Sequence, residues 1–140
     1  MQSLDGQCHC GNISVRLGLT QPFQSYRPRV CDCDFCRLHG AAYVSDPHGF
    51  LELGIGDPGF VGRYRHGSQT AEFLICQRCG VYVTALYRDA GLILGVVNVR
   101  VLDTAVVFGS AQPISPKTLP ASDKVARWRT LWFPVLELTQ

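Results

Sequence analysis

The sequence predicts an all-β, or mainly β, fold formed by a single domain over residues 1–140. Two observations lead to this fold class. Short stretches alternate apolar and polar residues with the period of two that is typical of half-buried strands. Glycine-containing turn sequences separate these stretches, and only one stretch, near the C-terminus, has the spacing of a helix. The length of 140 residues suits one domain.

The predicted strands cover most of the chain. Ile13, Val15 and Leu17 alternate with polar residues and define the first strand. A long apolar stretch at 92–102 contains Gly95, which predicts a bulged or centrally buried strand. The other predicted strands are residues 50–53, 60–64, 72–75, 81–87 and, as the last one, 106–108.

Turns and one short helix complete the predicted elements. Sequences typical of tight turns occur at residues 56–59, 66–68 and 89–91. The helix is predicted to have Ser122 as its N-cap and to run through Val125, Trp128 and Trp132. Prolines at positions 113, 116 and 120 predict a loop before this helix.

The composition is that of a globular chain, with 46% hydrophobic and 17% charged residues. The longest apolar run is far shorter than the roughly 20 residues that cross a membrane. The N-terminus lacks the basic and apolar segments of a signal peptide. We therefore expect a cytoplasmic protein without a membrane partner. The formal net charge of +2 would fall to about −1 if all seven cysteines ionised around two zinc ions, so nucleic acid is an unlikely partner.

The seven cysteines are the most informative residues. They form three groups along the chain: Cys8 and Cys10; Cys31, Cys33 and Cys36; and Cys76 and Cys79. An odd number of cysteines in a chain without an export signal favours metal binding over a disulfide framework.

The first and last groups together predict a closed, structural zinc site. In the motif C-x-x-C-G at 76–80, both sulfurs point at one ion and the glycine permits a positive φ. In C-x-C-G at 8–11, we expect the two cysteines to share one face of a strand. Two pairs of thiolates supply the four ligands of a tetrahedral site. His9 lies between two ligands, so we expect its side chain to point away from the metal.

The middle group predicts a second zinc site with three ligands. Catalytic zinc sites keep three protein ligands and an open position, whereas structural sites are closed. His39, three residues after Cys36, is an alternative fourth ligand that would close the site. Asp32 and Asp34 are expected to be solvated or bonded to local N–H groups, because soft thiolate sites disfavour carboxylates.

The order of the cysteine motifs resembles one known family. The motifs are C-x-C-G at 8–11, C-x-C-x-x-C-R at 31–37 followed by Gly-Ala-Ala-Tyr at 40–43, and C-x-x-C-G at 76–80. This pattern resembles the glutathione-dependent formaldehyde-activating enzyme family, which also includes centromere protein V. The resemblance is strongest over residues 5–110.

The resemblance implies a β-tent fold of short antiparallel sheets around two zinc ions. It implies that Cys8, Cys10, Cys76 and Cys79 hold the structural zinc and that Cys31, Cys33 and Cys36 hold the catalytic zinc. It also implies a carbon–sulfur lyase activity, the reversible addition of glutathione to formaldehyde to form S-(hydroxymethyl)glutathione. The stretch at 37–40 is shorter than is common in this family, and nothing from Pro113 onward matches it.

A zinc ion held by three thiolates suits thiol chemistry. Its site carries a net charge of −1, so it is a weaker Lewis acid than a zinc held by imidazoles, but it can hold a soft thiol as thiolate near neutral pH. We therefore expect a small thiol and an aldehyde as partners. The predicted substrate-binding residues are Arg37, His39 and Tyr43, which follow the metal-binding loop closely. Further candidates for an anionic thiol are Arg27, Arg29, Arg63 and Arg65.

Two other functions stay open at this point. The stretches GRYRHG and ARWRTLW interleave arginine with aromatic residues, as in a non-catalytic module that binds nucleic acid or chromatin. The middle cysteines could instead form a thiol redox switch. The sequence does not reveal the thiol, the aldehyde, the oligomeric state or the role of residues 113–140.

Overall fold

Strands dominate the regular structure of residues 1–103 and 106–139, the part of the chain that the computed structural model describes. The strands are β1 (Gln2–Gln7), β2 (Ile13–Leu19), β3 (Arg29–Cys31), β4 (Tyr43–Val44), β5 (Phe50–Ile55), β6 (Val61–Tyr64), β7 (Glu72–Cys76), β8 (Tyr82–Asp89), β9 (Leu92–Asn98), β10 (Gln112–Ile114) and β11 (Phe133–Thr139). The helices are α1 (Asp34–His39) and α2 (Ala121–Leu131). Neither helix has the length and apolar character that crossing a membrane requires.

One arm of the sheet contains β1, β2, β5 and the end of β11. The first three strands are antiparallel, and β11 adds to β5 in parallel. The register places Val15 opposite Leu53 and Leu17 opposite Leu51. All four side chains are buried, so the alternation that predicted these strands marks the face that packs on the core.

The other arm is arranged around β9. On one side of it, β8, β7 and β6 follow in antiparallel order. On the other side, β4 leads to β3 and then to β10. Strand β11 connects the two arms, because Phe133 and Pro134 pair with β9 before the strand continues along β5. Two pairs, β11 with β5 and β10 with β3, are parallel, so the sheet is mixed rather than purely antiparallel.

Buried side chains form two clusters. The larger one lies between the arms and includes Ile13, Leu53, Leu74 and Phe133, whose exposure is 0% in each case. The second cluster contains Tyr82, Trp128 and Trp132 and also takes in Cys31 and Cys36. The middle cysteines are therefore set into a core that the C-terminal helix helps to form.

The prediction of a mainly β fold is confirmed. The stretches predicted as strands at 13–17, 50–53, 60–64, 72–75 and 81–87 overlap β2, β5, β6, β7 and β8. Strand β9 also matches the predicted stretch at 92–102, but it ends at Asn98. The side-chain Oδ1 of Asn98 accepts a hydrogen bond from the N–H of Arg100 (3.2 Å) and begins a 3-10 turn, Val99–Val101.

Two predictions about the C-terminal region are wrong. Residues 106–108 are not a strand, since Phe108 packs its ring edge-on against Phe23 as part of a loop, and two strands follow it. Pro113 was expected in a loop but lies in β10. A proline is tolerated there because β10 is an edge strand and does not need every N–H for pairing.

The helices also differ from the prediction. Only one helix was expected, and α1 was missed. Helix α2 begins at Ala121, with Pro120 rather than Ser122 at the N-cap. The carbonyl of Pro120 accepts the N–H groups of Asp123 and Lys124 (3.1 and 3.0 Å), so the proline begins the helix one turn before its first lysine.

A buried carboxylate anchors the segment between β4 and β5. Oδ2 of Asp46 accepts hydrogen bonds from the N–H and hydroxyl of Thr20 (2.9 and 2.6 Å) and from the hydroxyl of Tyr26 (2.6 Å). Oδ1 accepts the N–H of His48 (2.8 Å). Desolvation by itself would raise the pKa of Asp46, but the bonds from Thr20 and Tyr26 outweigh it and lower the pKa to about 2.

Replacing this carboxylate is expected to destabilise the fold. Asp46→Asn should lower the free energy of unfolding by about 1–3 kcal/mol near pH 7, because an amide cannot accept all four bonds. The folded-state pKa lies below the ordinary value of 3.8, so the contribution is complete above about pH 4 and is lost as the pH falls toward 2. Urea unfolding at several pH values measures the difference. The exposed Asp5→Asn serves as the control, and an undiminished difference at pH 2 would contradict the electrostatic explanation.

Candidate metal centres and the adjoining cavity

Two hairpin turns bring four cysteines together. Cys8 and Cys10 lie in the turn between β1 and β2, and Cys76 and Cys79 lie at the turn between β7 and β8. Their sulfur atoms all lie within 4.8 Å of one another. Cys8 and Cys10 therefore lie in a turn. Their spacing had predicted that they would share one face of a strand, and that prediction is wrong. His9, between them, is exposed and is not part of the group.

Two glycines shape these turns. Gly11 and Gly80 have φ values of 85° and 82°, the left-handed region that favours glycine. The N–H of Gly80 bonds to the carbonyl of Cys76 (2.7 Å), and the N–H of Gly11 bonds to the carbonyl of Cys8 (3.1 Å). These bonds fold each motif so that its two sulfurs face the same point, as the sequence predicted for C-x-x-C-G.

The spacing of these sulfurs fits a tetrahedral metal site. Cys10 Sγ lies 3.8 Å from Cys8 Sγ and 3.6 Å from Cys76 Sγ. Zinc–sulfur bonds of about 2.3 Å in a tetrahedron place neighbouring sulfurs about 3.8 Å apart. The group could therefore hold a metal ion, and its all-sulfur donor set is consistent with zinc.

The protonation of these thiols is uneven. Burial, followed by thiol hydrogen bonds, raises the pKa of Cys8 to about 11, although the N–H of Ile13 bonds its sulfur (3.3 Å). For Cys79, desolvation acts in the same direction, but N–H groups of Cys10 and Val81 and the neighbouring thiols lower the pKa to about 6. Cys79 thus ionises more readily than Cys8, whose proton a bound cation would displace.

The remaining cysteines meet at the start of α1. Cys31 is the last residue of β3, Cys33 is the N-cap of α1, and Cys36 is buried in its first turn. The sulfur of Cys33 accepts the N–H of Cys36 (3.4 Å). The three sulfur atoms lie within 4.8 Å of one another and form a second group that could hold a metal ion. We call it the three-cysteine group, and the other the four-cysteine group.

A buried chain of two tyrosines supports the three-cysteine group. The hydroxyl of Tyr43 lies 2.9 Å from Cys36 Sγ, and the hydroxyl of Tyr82 lies 2.8 Å from that of Tyr43. Burial raises the pKa of both tyrosines, so both keep their protons. If Cys36 lost its proton to a bound metal ion, its sulfur could only accept, and Tyr82 would then donate to Tyr43 and Tyr43 to the sulfur. No pattern in the sequence had indicated that Tyr82 lies close to the three-cysteine group.

The three thiols also differ in charge. Hydrogen bonds with Cys31 and then Cys36 lower the pKa of Cys33 to about 2, and the charge of His66 acts in the same direction. The contact with Cys33 raises the pKa of Cys31, and the contacts with Cys31 and Cys33 raise the pKa of Cys36. Cys33 is therefore the thiolate of this group, and its neighbours are the donors.

A cavity of about 370 Å3 adjoins the three-cysteine group, and all three cysteines line it. This volume lies in the range of small-molecule sites, about 300–1,000 Å3. Cationic side chains contribute to its wall: Arg29, Lys117, Lys124 and Arg127. Its apolar surface includes Phe73, Ile114, Leu119 and the stacked rings of Trp128 and Trp132, whose centroids are 4.4 Å apart.

The predicted substrate-binding residues are distributed around this cavity. Tyr43 lines it. Arg37 instead lines a different cavity, of about 310 Å3, and forms an exposed ion pair with Asp34 (3.8 Å). His39 is exposed, and its ring packs on Phe35 with centroids 4.5 Å apart. Within the described residues, His39 is not part of the three-cysteine group, so it does not close that group here.

Of the other four candidate arginines, one lines the main cavity and three do not. Arg29 lines the main cavity. Arg63 and Arg65 both pair with Glu72 (2.9 and 3.5 Å), and Arg27 donates to the carbonyls of residues 110 and 111. The arginines of GRYRHG are thus held by a carboxylate on the neighbouring strand.

Histidine 66 was missed in the sequence. Its ring stacks on Phe35 (5.1 Å between centroids), packs against Phe73 (4.5 Å) and lines the cavity. Its Nε2 is buried and is without a hydrogen-bond partner among the described residues. Nothing in the spacing of His66 relative to the middle cysteines could have indicated this position, because β4, β5 and β6 lie between them in the chain.

Comparison with known proteins identifies the family. The model of the glutathione-dependent formaldehyde-activating enzyme family matches residues 3–118. The chain belongs to this family. The family is associated with enzymes that act on glutathione and formaldehyde. The matched region contains every cysteine of both groups and ends before α2.

A solved structure supports the same conclusion. The chain is 30% identical to a Rhodobacter sphaeroides protein whose crystal structure was determined as a Northeast Structural Genomics target. The similarity covers 71% of this chain and 88% of that one, with a TM-score of 0.54. No match was found among curated proteins.

Both cysteine groups are expected to bind zinc with release of protons. Metal analysis of protein purified without chelator should find two zinc ions per chain, and Cys33→Ser should retain one. Because most thiols must deprotonate to bind, competition with a chromophoric chelator should show weaker zinc binding near pH 5 than near pH 8. Cys76→Ser, which alters the buried group between the arms, should also lower Tm. One zinc per chain in the unmodified protein, or disulfides in place of free thiols, would contradict this assignment.

Proposed function

We propose that this chain is a zinc-dependent, carbon–sulfur lyase-like enzyme that forms or cleaves adducts between a small, glutathione-like thiol and a formaldehyde-like aldehyde. The observation that carries the proposal is that the three-cysteine group lines a cavity of small-molecule size. The four-cysteine group does not line that cavity. The proposal therefore assigns a catalytic zinc to Cys31, Cys33 and Cys36 and a structural zinc to the other four cysteines.

The donor set of the three-cysteine group fits this assignment. Three sulfur atoms lie close enough to share one ion, and they are one ligand short of a closed tetrahedral site. When bound, zinc would supply a soft Lewis acid that holds a substrate thiol as thiolate near neutral pH. Tyr43 and Tyr82 would orient the sulfur of Cys36 through the buried hydroxyl chain.

The reaction itself requires little more than positioning. In the forming direction, the substrate sulfur bonds to the carbonyl carbon, the π electron pair of the C=O bond moves to oxygen, and that oxygen takes the proton that the thiol has lost. The cleaving direction reverses each change. The apolar wall formed by Phe73, Trp128 and Trp132 would limit the access of water to the reacting atoms.

We assign the proton transfer to His66. Its Nε2 is buried and has no partner in the described part of the chain, and the residue lines the same cavity as the cysteines. An imidazole nitrogen in this position can donate a hydrogen bond to the aldehyde oxygen as negative charge develops on it.

A nucleic-acid function has weaker support. Arg63 of GRYRHG bonds both Glu72 and Glu137, and Arg129 of ARWRTLW bonds Asp89 (2.8 Å). Arginines held in this way are less available to phosphates than the free cationic stripe of a typical nucleic-acid surface.

Zinc-loaded protein is expected to accelerate the exchange between free glutathione and S-(hydroxymethyl)glutathione, which NMR exchange spectroscopy measures in the presence of formaldehyde. Cys33→Ser should reduce the rate to the uncatalysed value and keep one zinc. Arg37→Gln should change the catalysed rate by less than about twofold, because the Arg37 side chain is exposed, pairs with Asp34 and does not line the main cavity. Wild-type protein with two zinc ions that neither binds a thiol nor changes the exchange rate would refute the proposed function.

Substitution of His66 tests the assigned proton transfer. His66→Phe keeps an aromatic ring between Phe35 and Phe73 but removes the nitrogen, so kcat should fall by about 10²-fold or more with little change in KM. Zinc content should remain at the wild-type value. The exposed His48→Ala is the control. Full activity in His66→Phe would show that this residue only packs.

A further inference from the structure

The charge of the main cavity is unbalanced. Arg29, Lys117, Lys124 and Arg127 line it, and none of the described residues that line it is an aspartate or glutamate. Lys117 has a carboxylate partner outside the cavity lining, Asp32, at 3.8 Å. For Arg29, Lys124 and Arg127, no carboxylate lies within ion-pair distance in the described part of the chain.

Two of these cations lie close together. Arg29 and Arg127 line the same cavity, and burial, followed by the charge of Arg127, lowers the pKa of Arg29. One guanidinium nitrogen of Arg29 donates to Ser45 Oγ (2.7 Å), which fixes the side chain but adds no negative charge. Adjacent, partly buried cations without an acidic partner favour an anionic ligand, because burial of unpaired charge is costly.

Helix α2 offers an internal comparison. Lys124, Arg127 and Trp128 are spaced so that they share one face, and all three line the cavity. Arg129, on the exposed side, bonds Asp89 at 2.8 Å and lies over the ring of Tyr87. Arg129, outside the cavity, is thus paired with a carboxylate. Arg127, which lines the cavity, has no such partner among the described residues.

The chain path brings this helix to the metal group. Strand β10 runs parallel to β3 with Ile114 opposite Cys31, and the carbonyl of Ile114 accepts the N–H of Asp32 (3.3 Å). After β10 the chain continues into α2. Trp128 of this helix and Trp132, which follows the helix, line the cavity. Residues 119–132 lie beyond the region that the family model matches, whereas Arg29 and Lys117 lie within it.

We propose that this wall selects the substrate: the thiol carries a carboxylate, which Arg127 and Arg29 bind while its sulfur reaches the three-cysteine group. Lys124 adds to the positive charge. Guanidinium groups match a carboxylate with two parallel hydrogen bonds, so charge and shape are both recognised. The inference rests on the proposed function for the place of the sulfur, but the carboxylate site stands on the cationic wall.

The test compares matched ligands on the zinc-loaded protein. The fluorescence of Trp128 and Trp132, the chain's two tryptophans, reports binding to the cavity without reference to activity. The probes are 3-mercaptopropionate, its amide, and the S-methyl derivatives of both, which cannot form a thiolate. The acids should bind at least about tenfold more tightly than the amides in both pairs, as expected for charge-assisted bonds.

Variants connect this preference to the named residues. Arg127→Gln should reduce the preference for acid to about twofold or less, Arg127→Lys should restore part of it, and Lys124→Gln should weaken it. Arg129→Gln, on the same helix, should leave it unchanged. Circular dichroism verifies that each variant is folded.

The outcomes separate the two proposals. Equal affinity for acids and amides in the wild-type protein, or a preference that persists in both Arg127→Gln and Lys124→Gln, would overturn the carboxylate site. If the S-methyl acid binds with the expected preference while no thiol adduct forms at an accelerated rate, the carboxylate site is upheld and the proposed function fails. If a neutral thiol reacts as fast as the acidic one, the function is upheld and this specificity fails.

Discussion

The close approach of four sulfur atoms from two distant turns is the constraint on which the rest of the structure depends. Cys10 and Cys76 are 66 residues apart in the chain, yet their sulfurs are 3.6 Å apart. One turn belongs to the β1–β2 arm and the other to the β7–β8 arm, so the group joins both. Four ionised sulfurs at this distance repel strongly, and either shared protons or a bound cation must offset that repulsion.

The two cysteine groups are connected through one strand. Residues 76–80 form the turn of the four-cysteine group, and β8 begins two residues after its glycine, at Tyr82. The hydroxyl of Tyr82 bonds that of Tyr43, which contacts the sulfur of Cys36. The turn that gathers one set of sulfurs therefore also sets the position of the tyrosine that orients the other set. Buried contacts therefore connect the four-cysteine group, through Tyr82 and Tyr43, to the wall of the cavity.

The cavity combines parts of different origin. Its cysteines lie in the region shared with the family, whereas Lys124, Arg127, Trp128 and Trp132 come from a C-terminal helix outside that region. The cationic part of the wall is itself of mixed origin, because Arg29 and Lys117 lie within the matched region.

The sequence by itself determined the fold class, most strands and the two sets of cysteines that could hold metal ions, because alternation and the spacing of cysteines within each motif are local properties of the chain. It did not reveal α1, whose six residues are too few for a periodic pattern and whose cap is the sulfur of Cys33. Connectivity suggested Arg37 for the substrate, but the path from β3 into α1 turns Arg37 outward and leaves Arg29 in the cavity. Only the tertiary structure decided which arginine lines the cavity, where His66 and Tyr82 lie, and the parallel pairing of β10 and β11, because each depends on contacts between segments far apart in the chain.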